Sequence, residues 1–330
     1  MSQPLVSVIT PFHNTAPYLA QCIESVLLQT HSRFEYILSD NCSTDGSGEI
    51  AEAYARKDPR IRVIRQPQLL SQGDHYNSVL GTISSSSEYC KIVQADDCIF
   101  SDCLRLMLQA FAQSESIGLV SSYYLKGGTV LGSGFPPEKS ILPGKEMARL
   151  FLLKGVFVFG SETTVMYRSA LIRNSSPFFD ASLLHADTEK CMQILESWDF
   201  GFVHQVLSFL RVDNVNASIS AAVRRLAPGD LDWYIISQRY SERFLEQGEA
   251  AALMKQSKRE YYQALAHRAL HFPNAAFWQY HRKGLGTINQ SLDRPYLWLQ
   301  AAMTLLWMVA NPGETAARVI RSRKRSHAEQ

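Results

Sequence analysis

The stretch Phe34-Glu35-Tyr36-Ile37-Leu38-Ser39-Asp40-Asn41-Cys42-Ser43-Thr44-Asp45-Gly46-Ser47 decides how this chain folds. Phe34 to Leu38 is short, apolar and rich in strand-forming side chains. It empties into the polar cluster Ser39 to Gly46, and a helical pattern takes over from about Ser47 to Arg56. The same unit recurs on both sides. Upstream, Leu5 to Thr10 reads as a buried strand stopped by Pro11, and a helix follows from about Pro17 to Gln29 with Leu19, Ile23, Val26 and Leu27 on one face. Downstream, Ile61 to Arg65 is a third strand, a helix lies near His75 to Ser84, and Tyr89 to Gln94 is a fourth strand. Strands alternating with helices of about ten residues predict an α/β fold with a doubly wound, mostly parallel sheet. Polar clusters fall at the carboxyl ends of the first, second and fourth strands, the edge where open α/β sheets bind ligands. Residues 1–103 therefore read as a nucleotide-binding half.

From 104 to 225 the pattern is mixed. It predicts a helix over Leu104 to Gln113, extended segments around Leu119 to Tyr124 and Thr163 to Tyr167, a helix near Thr188 to Trp198 and strands over Phe200 to Arg211. This stretch reads as the second half of the same domain, facing a second substrate. Beyond Pro228-Gly229 the character changes, and 226–330 reads as a helical extension. Asp232 to Phe272 is helical almost throughout, and Pro295 to Ala310 is apolar nearly all round.

Composition narrows the function classes. With 46% hydrophobic and 19% charged residues over 330 positions, the chain has ample core for a folded protein. A formal net charge of +2 argues against nucleic acid as a partner. The six cysteines are scattered without metal-ligand spacing, as expected of thiols in a reducing cytoplasm. The start MSQPLVSVITPF enters a strand directly and lacks the pattern of a secretory signal.

The chemistry gathers in two acidic clusters, Asp40-Asn41 after the second strand and Asp96-Asp97 after the fourth. Neighbouring carboxylates at a sheet edge suit Mg²⁺ or Mn²⁺, which prefer oxygen and leave positions open for phosphate. Either cluster alone reads equally well as a loop or helix cap. Two at equivalent strand ends make capping a poor account of both.

Four segments resemble those of family 2 glycosyltransferases. Val6 to Asn14 (VSVITPFHN) is similar to the family's VSVIIPTYN opening, and Ile23 to Thr30 ends in the SVLxQT helix pattern. Asp40 to Ser47 is similar to DDGSTDGT, and Ala95-Asp96-Asp97 to the DADD metal motif. The resemblance runs from about 4 to 215. It implies a GT-A domain that transfers a sugar, with inversion, from a nucleotide diphosphate to a saccharide or lipid-linked saccharide, in the setting of cell-surface polysaccharide assembly. It further implies that Thr10, Pro11 and Asn14 lie beside the nucleotide and that Asp40 and Asn41 contact the base. Asp96 and Asp97 are implied to hold ribose and the metal, Asp97 as direct ligand. Uridine is the commonest base of the family, so a UDP-sugar is the implied donor. Asn41 replaces a frequent Asp, and Gln94 stands where many members carry a further acid, which leaves the metal site one charge short.

Such a reaction needs a general base for the attacking hydroxyl. The resemblance assigns it to Asp187 in Ala186-Asp187-Thr188-Glu189, where the family has an ED pair before a helix. Read locally, Asp187 is a helix N-cap, and the two roles are compatible. Glu189 is the next candidate, while His185 reads as structural. Arg211 corresponds to a basic position that helps bind the diphosphate. A nucleotidyltransferase would show a glycine-rich basic loop after the first strand, which Thr10 to Asn14 is not. A degenerate relative that only binds nucleotide sugars or saccharides is the alternative, favoured by Ala186 and Gln94.

Tyr296 to Ala310 is too short to span a bilayer, and Arg318, Arg321, Arg323, Lys324 and Arg325 follow it. The segment 296–325 reads either as a helix packed on the protein with a solvated tail or as a peripheral contact at the inner face of the membrane.

Overall fold

The computed structural model describes residues 3–212, 226–269, 274–311 and 313. β1 (Val6–Phe12) is buried along its whole length and runs parallel to β2 (Phe34–Asp40) on one side and β4 (Tyr89–Ile92) on the other. Burial on both faces is why its residues are apolar in an unbroken run rather than in alternation. β3 (Ile61–Arg65) lies outside β2, also parallel. The crossovers are α1 (Ala16–Leu27), α2 (Ser47–Ala55) and α3 (Gln72–Leu80), and Ser71 caps the last by accepting from the Asp74 N–H.

The second half extends the same sheet. β9 (Met166–Arg168) pairs antiparallel with β4 and with β6 (Ile117–Lys126), and β6 runs parallel to β10 (Asp199–Leu210). β5 (Cys98–Ile99) and β8 (Ile141–Leu142) pair antiparallel with β10, and β7 (Thr129–Leu131) with β6. Among the described residues the order is β3-β2-β1-β4-β9-β6-β10-β5. The doubly wound, mostly parallel sheet read from the sequence is thus observed, and β9 is the antiparallel strand that joins its two halves. α1 and α4 (Cys103–Phe111) cover the sheet through Leu19, Ile23, Val26, Leu104 and Met107, all fully buried.

α5 (Gly144–Lys154), α6 (Ser169–Arg173) and α7 (Ala186–Ile194) complete this half. The sequence reading passed over α5, although Pro143 precedes it and Gly155, at φ +65°, ends it. Gly144 has a steric reason as well, since a Cβ there would sit 2.2 Å from the Leu195 carbonyl oxygen.

The chain forms two compact units, 1–220 with 243–245, and 221–242 with 246–330. The second is helical, with α8 (Pro228–Phe244), α9 (Gln247–Ala269), α10 (Ala275–Gly286) and α11 (Arg294–Ala310). The long helix expected from Asp232 is two helices. The Glu249 carboxylate accepts from the Glu246 N–H and starts a fresh N-terminus. Residues 270–272 of that expectation lie outside the described residues, as does the basic run 318–325. Within this unit Tyr234 stacks on Tyr261 at 4.7 Å, and the Tyr261 hydroxyl shares a 2.9 Å hydrogen bond with His281 Nδ1. Among the described residues no helix is long and apolar enough to cross a membrane.

Candidate active site

The carboxyl ends of β1, β2 and β4 open into a cleft of about 290 Å³, lined among others by Pro11, His13, Asn41, Tyr76, Gln94 and Asp96. Its rim is made of two loops clasped together. Asn14, at φ +51°, donates its N–H to Ser43 Oγ, and its Oδ1 accepts from the Thr44 N–H at 2.8 Å. The carbonyl of Asn41 can only accept, so His13 Nδ1, 2.7 Å away, carries the proton, and Nε2 accepts from the Asn14 amide. The Asn41 side chain is itself occupied. Its Nδ2 donates to the Leu70 carbonyl at 3.0 Å and its Oδ1 accepts from the Leu70 N–H at 2.9 Å, a two-bond clasp on the cleft wall. An aspartate there would lack the donor for half of this clasp. Asp40 is buried and accepts from the Ser43 N–H, and Thr10 points into the core, where its hydroxyl meets that of Tyr36 at 3.0 Å.

The acid pair divides in two. Asp97 is buried, with one oxygen accepting from the Thr163 hydroxyl at 2.6 Å and the other from the Arg211 N–H at 3.0 Å. Burial, and then the charge of Asp96, push its carboxyl up to about 7. Asp96 is half-buried and lines the cleft. Arg211 Nε donates to the Asp96 carbonyl and Nη2 to Gln21 Oε1, while the guanidinium lies 4.7 Å over the Tyr18 ring. Arg211 thereby ties the end of β10 to the acid pair.

A third acid stands behind the cleft wall. Gln94, in the cleft wall, donates its amide to Glu162 Oε2 at 2.7 Å. Burial, followed by the neighbouring Asp187 carboxylate, raises the Glu162 carboxyl to about 8. A fully buried lysine sets this loop. Lys91 Nζ donates to the Thr163 and Val165 carbonyls, and burial lowers its ammonium below the ordinary lysine value. Asp187 sits in the first turn of α7, where its Oδ1 accepts from the Thr188 N–H. The N-cap position is His185, so the capping reading of Asp187 is corrected by two residues. Glu189, two positions on, is turned roughly 200° away around the helix and is buried.

The structure therefore brings Pro11, Asn41 and Asp96 to the cleft wall, holds Asn14 in its rim, and sets Thr10, Asp40 and Asp97 behind it. Glu162 escaped the sequence reading because Ser161-Glu162-Thr163-Thr164 carries no period or motif. The antiparallel pairing of β4 with β9, together with the bonds from Lys91 and Gln94 to Thr163, brings the loop before β9 to the end of β4.

His75 lies in the same wall and shares a 2.8 Å hydrogen bond with Ser39 Oγ. Burial lowers its pKa from 6.5 to about 4. The unfolded chain takes up this proton first as pH falls, so the contribution of His75 is complete above pH 6.5 and is lost on acidification towards pH 4. His75→Gln is expected to flatten the fall of the urea midpoint across that interval, measured against the parent chain. An unchanged slope would show that the ring titrates freely.

A mostly parallel, doubly wound sheet with a cleft at its carboxyl edge and Asp96 in the cleft wall places this protein in the GT-A class of folds. A model of Glycosyl transferase family 2 matches residues 7–175, and the chain belongs to that family. It is 34% identical to the glycosyltransferase GlyG of Streptococcus pneumoniae over 120 residues, 36% of this chain and 39% of GlyG. The matched region is thus about two fifths of that relative's length. Among solved structures it is similar to Staphylococcus aureus TarS 1–349 in complex with UDP-GlcNAc, with a TM-score of 0.60 and 18% identity over 90% of this chain and 79% of that one. It is also similar to the mannosyltransferase PcManGT of Pyrobaculum calidifontis in complex with GDP-Man and Mn²⁺, with a TM-score of 0.55 and 15% identity over 93% and 88%. Both structural likenesses concern the fold.

Proposed function

We propose that the protein transfers a sugar, with inversion, from a UDP-sugar to a hydroxyl of a saccharide or lipid-linked saccharide at the cytoplasmic face of the cell envelope. The observation that carries this reading is a carboxylate, Asp96, in the wall of a cleft at the carboxyl ends of three parallel strands, with further acids behind that wall. Gln94 in the same wall holds Glu162, and Asp187 acts on Glu162 through its charge.

In this reading the two clasped loops hold the nucleotide between Pro11 and Leu70. Asn41 shapes the wall through Leu70, so the base is read by the wall it braces rather than by its own amide. Asp187 accepts the proton of the acceptor hydroxyl as the new glycosidic bond forms from the face opposite the diphosphate, which inverts the anomeric centre. Glu162 is held behind the cleft wall by Gln94, and burial together with the Asp187 carboxylate raises its carboxyl, which favours its neutral form beside the base.

The residues fit a hard divalent cation that arrives with the donor. Among the described residues no group of three or more His, Cys, Asp or Glu side chains is placed to hold an ion alone. Mg²⁺ and Mn²⁺ are commonly held by one or two carboxylates together with substrate phosphates, and Asp96 supplies the carboxylate in the cleft. Asp97, with both oxygens engaged, is assigned to anchoring rather than to direct ligation. When bound, the ion neutralises charge on the leaving diphosphate.

Calorimetric titration with UDP, GDP and dTDP, each with and without Mn²⁺, tests the donor. UDP binding that Mn²⁺ strengthens is expected. Preference for another nucleotide would replace the uridine assignment, and failure of all three would remove the transferase reading.

A further inference from the structure

Among the described residues, the outer face of α11 beyond Arg294 is exposed and carries no charge. Along this 17-residue helix, Leu297, Gln300 and Ala301 are buried against the second unit, in which Tyr262 meets Tyr296 edge-on at 5.3 Å. The opposite side presents Trp298, Leu299, Met303, Leu305, Leu306 and Val309, with Trp298 67% exposed, Leu306 70% and Val309 79%. No charged residue falls between Arg294 and Asn311. The polar side chain of Thr304 is satisfied within the helix, donating to the Gln300 carbonyl at 2.8 Å. A continuous apolar face of this kind is unusual on a protein surrounded by water alone.

We infer that this face docks on an anionic lipid surface, with α11 lying in the plane of the interface. Two features on the same stretch of chain carry the choice of occupant. The helix is roughly 25 Å long, short of the ~30 Å hydrocarbon core, so it suits lying in a bilayer surface rather than crossing it. The residues that follow include Arg318, Arg321, Arg323, Lys324 and Arg325, with no acid between 318 and 325. An apolar helix face that includes a tryptophan, followed by a dense positive run, matches the two layers of a membrane whose headgroups are anionic. A second copy of the chain matches only the first feature, since an uncharged helix face offers nothing to the positive run that follows it. The inference is independent of the donor and of the transfer reaction. It concerns where the protein resides.

Co-sedimentation of the full chain with vesicles tests it, using phosphatidylcholine alone and phosphatidylcholine mixed with phosphatidylglycerol. Binding is expected to the mixed vesicles, to weaken with salt, and to be at least tenfold weaker to phosphatidylcholine alone. Trp298→Glu and Leu306→Glu alter exposed positions, so the fold is retained, and each is expected to reduce partitioning at least tenfold. Replacing Arg323, Lys324 and Arg325 with serine is expected to cost about fivefold per charge. Equal binding to neutral vesicles, or glutamate variants that bind like the parent chain, would overturn the inference. So would a dimer, seen by sedimentation velocity, that both glutamate variants abolish while the parent chain ignores vesicles.

Discussion

Replacing Asp187 by asparagine is expected to lower the turnover of sugar transfer by about 10² to 10⁴ and to leave nucleotide affinity unchanged. The substitution keeps the shape of the side chain. The oxygen that accepts from the Thr188 N–H is retained, so the first turn of α7 is preserved. What is lost is the ability to take a proton. Asp187 also raises Glu162, so the variant is expected to let Glu162 ionise nearer its ordinary range. Single-turnover transfer assays paired with calorimetry would separate the two parameters. Turnover within tenfold of the parent would move the base elsewhere, and weakened nucleotide binding would make Asp187 part of the donor site. A chain that only binds nucleotide sugars has no turnover to lose in either form.

The second large effect is expected at Asp96. Asp96→Asn should reduce kcat/KM by about 10² to 10³ and remove the enhancement of UDP binding by Mn²⁺. The contrast with its neighbour is the informative part. Asp97→Ala strips partners from the Thr163 hydroxyl and the Arg211 N–H, two groups that meet a buried carboxylate. Each unsatisfied group costs about 1–3 kcal/mol, so this variant should unfold at visibly lower urea. If Asp97→Asn abolished the metal effect and Asp96→Asn did not, the order of ligand and anchor would be reversed.

How much of this was legible in the sequence depends on how local each signal is. β1 to β4 and their crossovers were readable because burial on both faces writes itself as short apolar runs between polar loops. The cleft edge followed from where those loops fall. The different fates of Asp96 and Asp97 were not readable, since the partners that bury Asp97 stand 66 and 114 residues away. Asn41 read as a contact for the base, whereas its amide is spent on Leu70 across a loop of irregular sequence. The missing acid at Gln94 looked like a weakness of the site. Glu162, brought beside it by the loop before an antiparallel strand of three residues, is a carboxyl that no local pattern announced. In the helical unit the period was plain but the break at Glu246 was not, because a capping pair of glutamates is unremarkable inside a helical run.

The staple formed by Arg211 carries a consequence for how the protein comes into being. The carboxylate of Asp97 waits for an N–H supplied 114 residues later, and the carbonyl of Asp96 for a guanidinium from the same residue. Closing so long a loop is among the slower events of folding. During synthesis the four parallel strands emerge first, with the cleft outlined but its acid edge unpinned. The edge is expected to take its final shape once β10 pairs with β6 and brings Arg211 to the acid pair. If the cleft binds the donor proposed above, a half-made chain is expected to bind nucleotide weakly however well its first hundred residues have condensed.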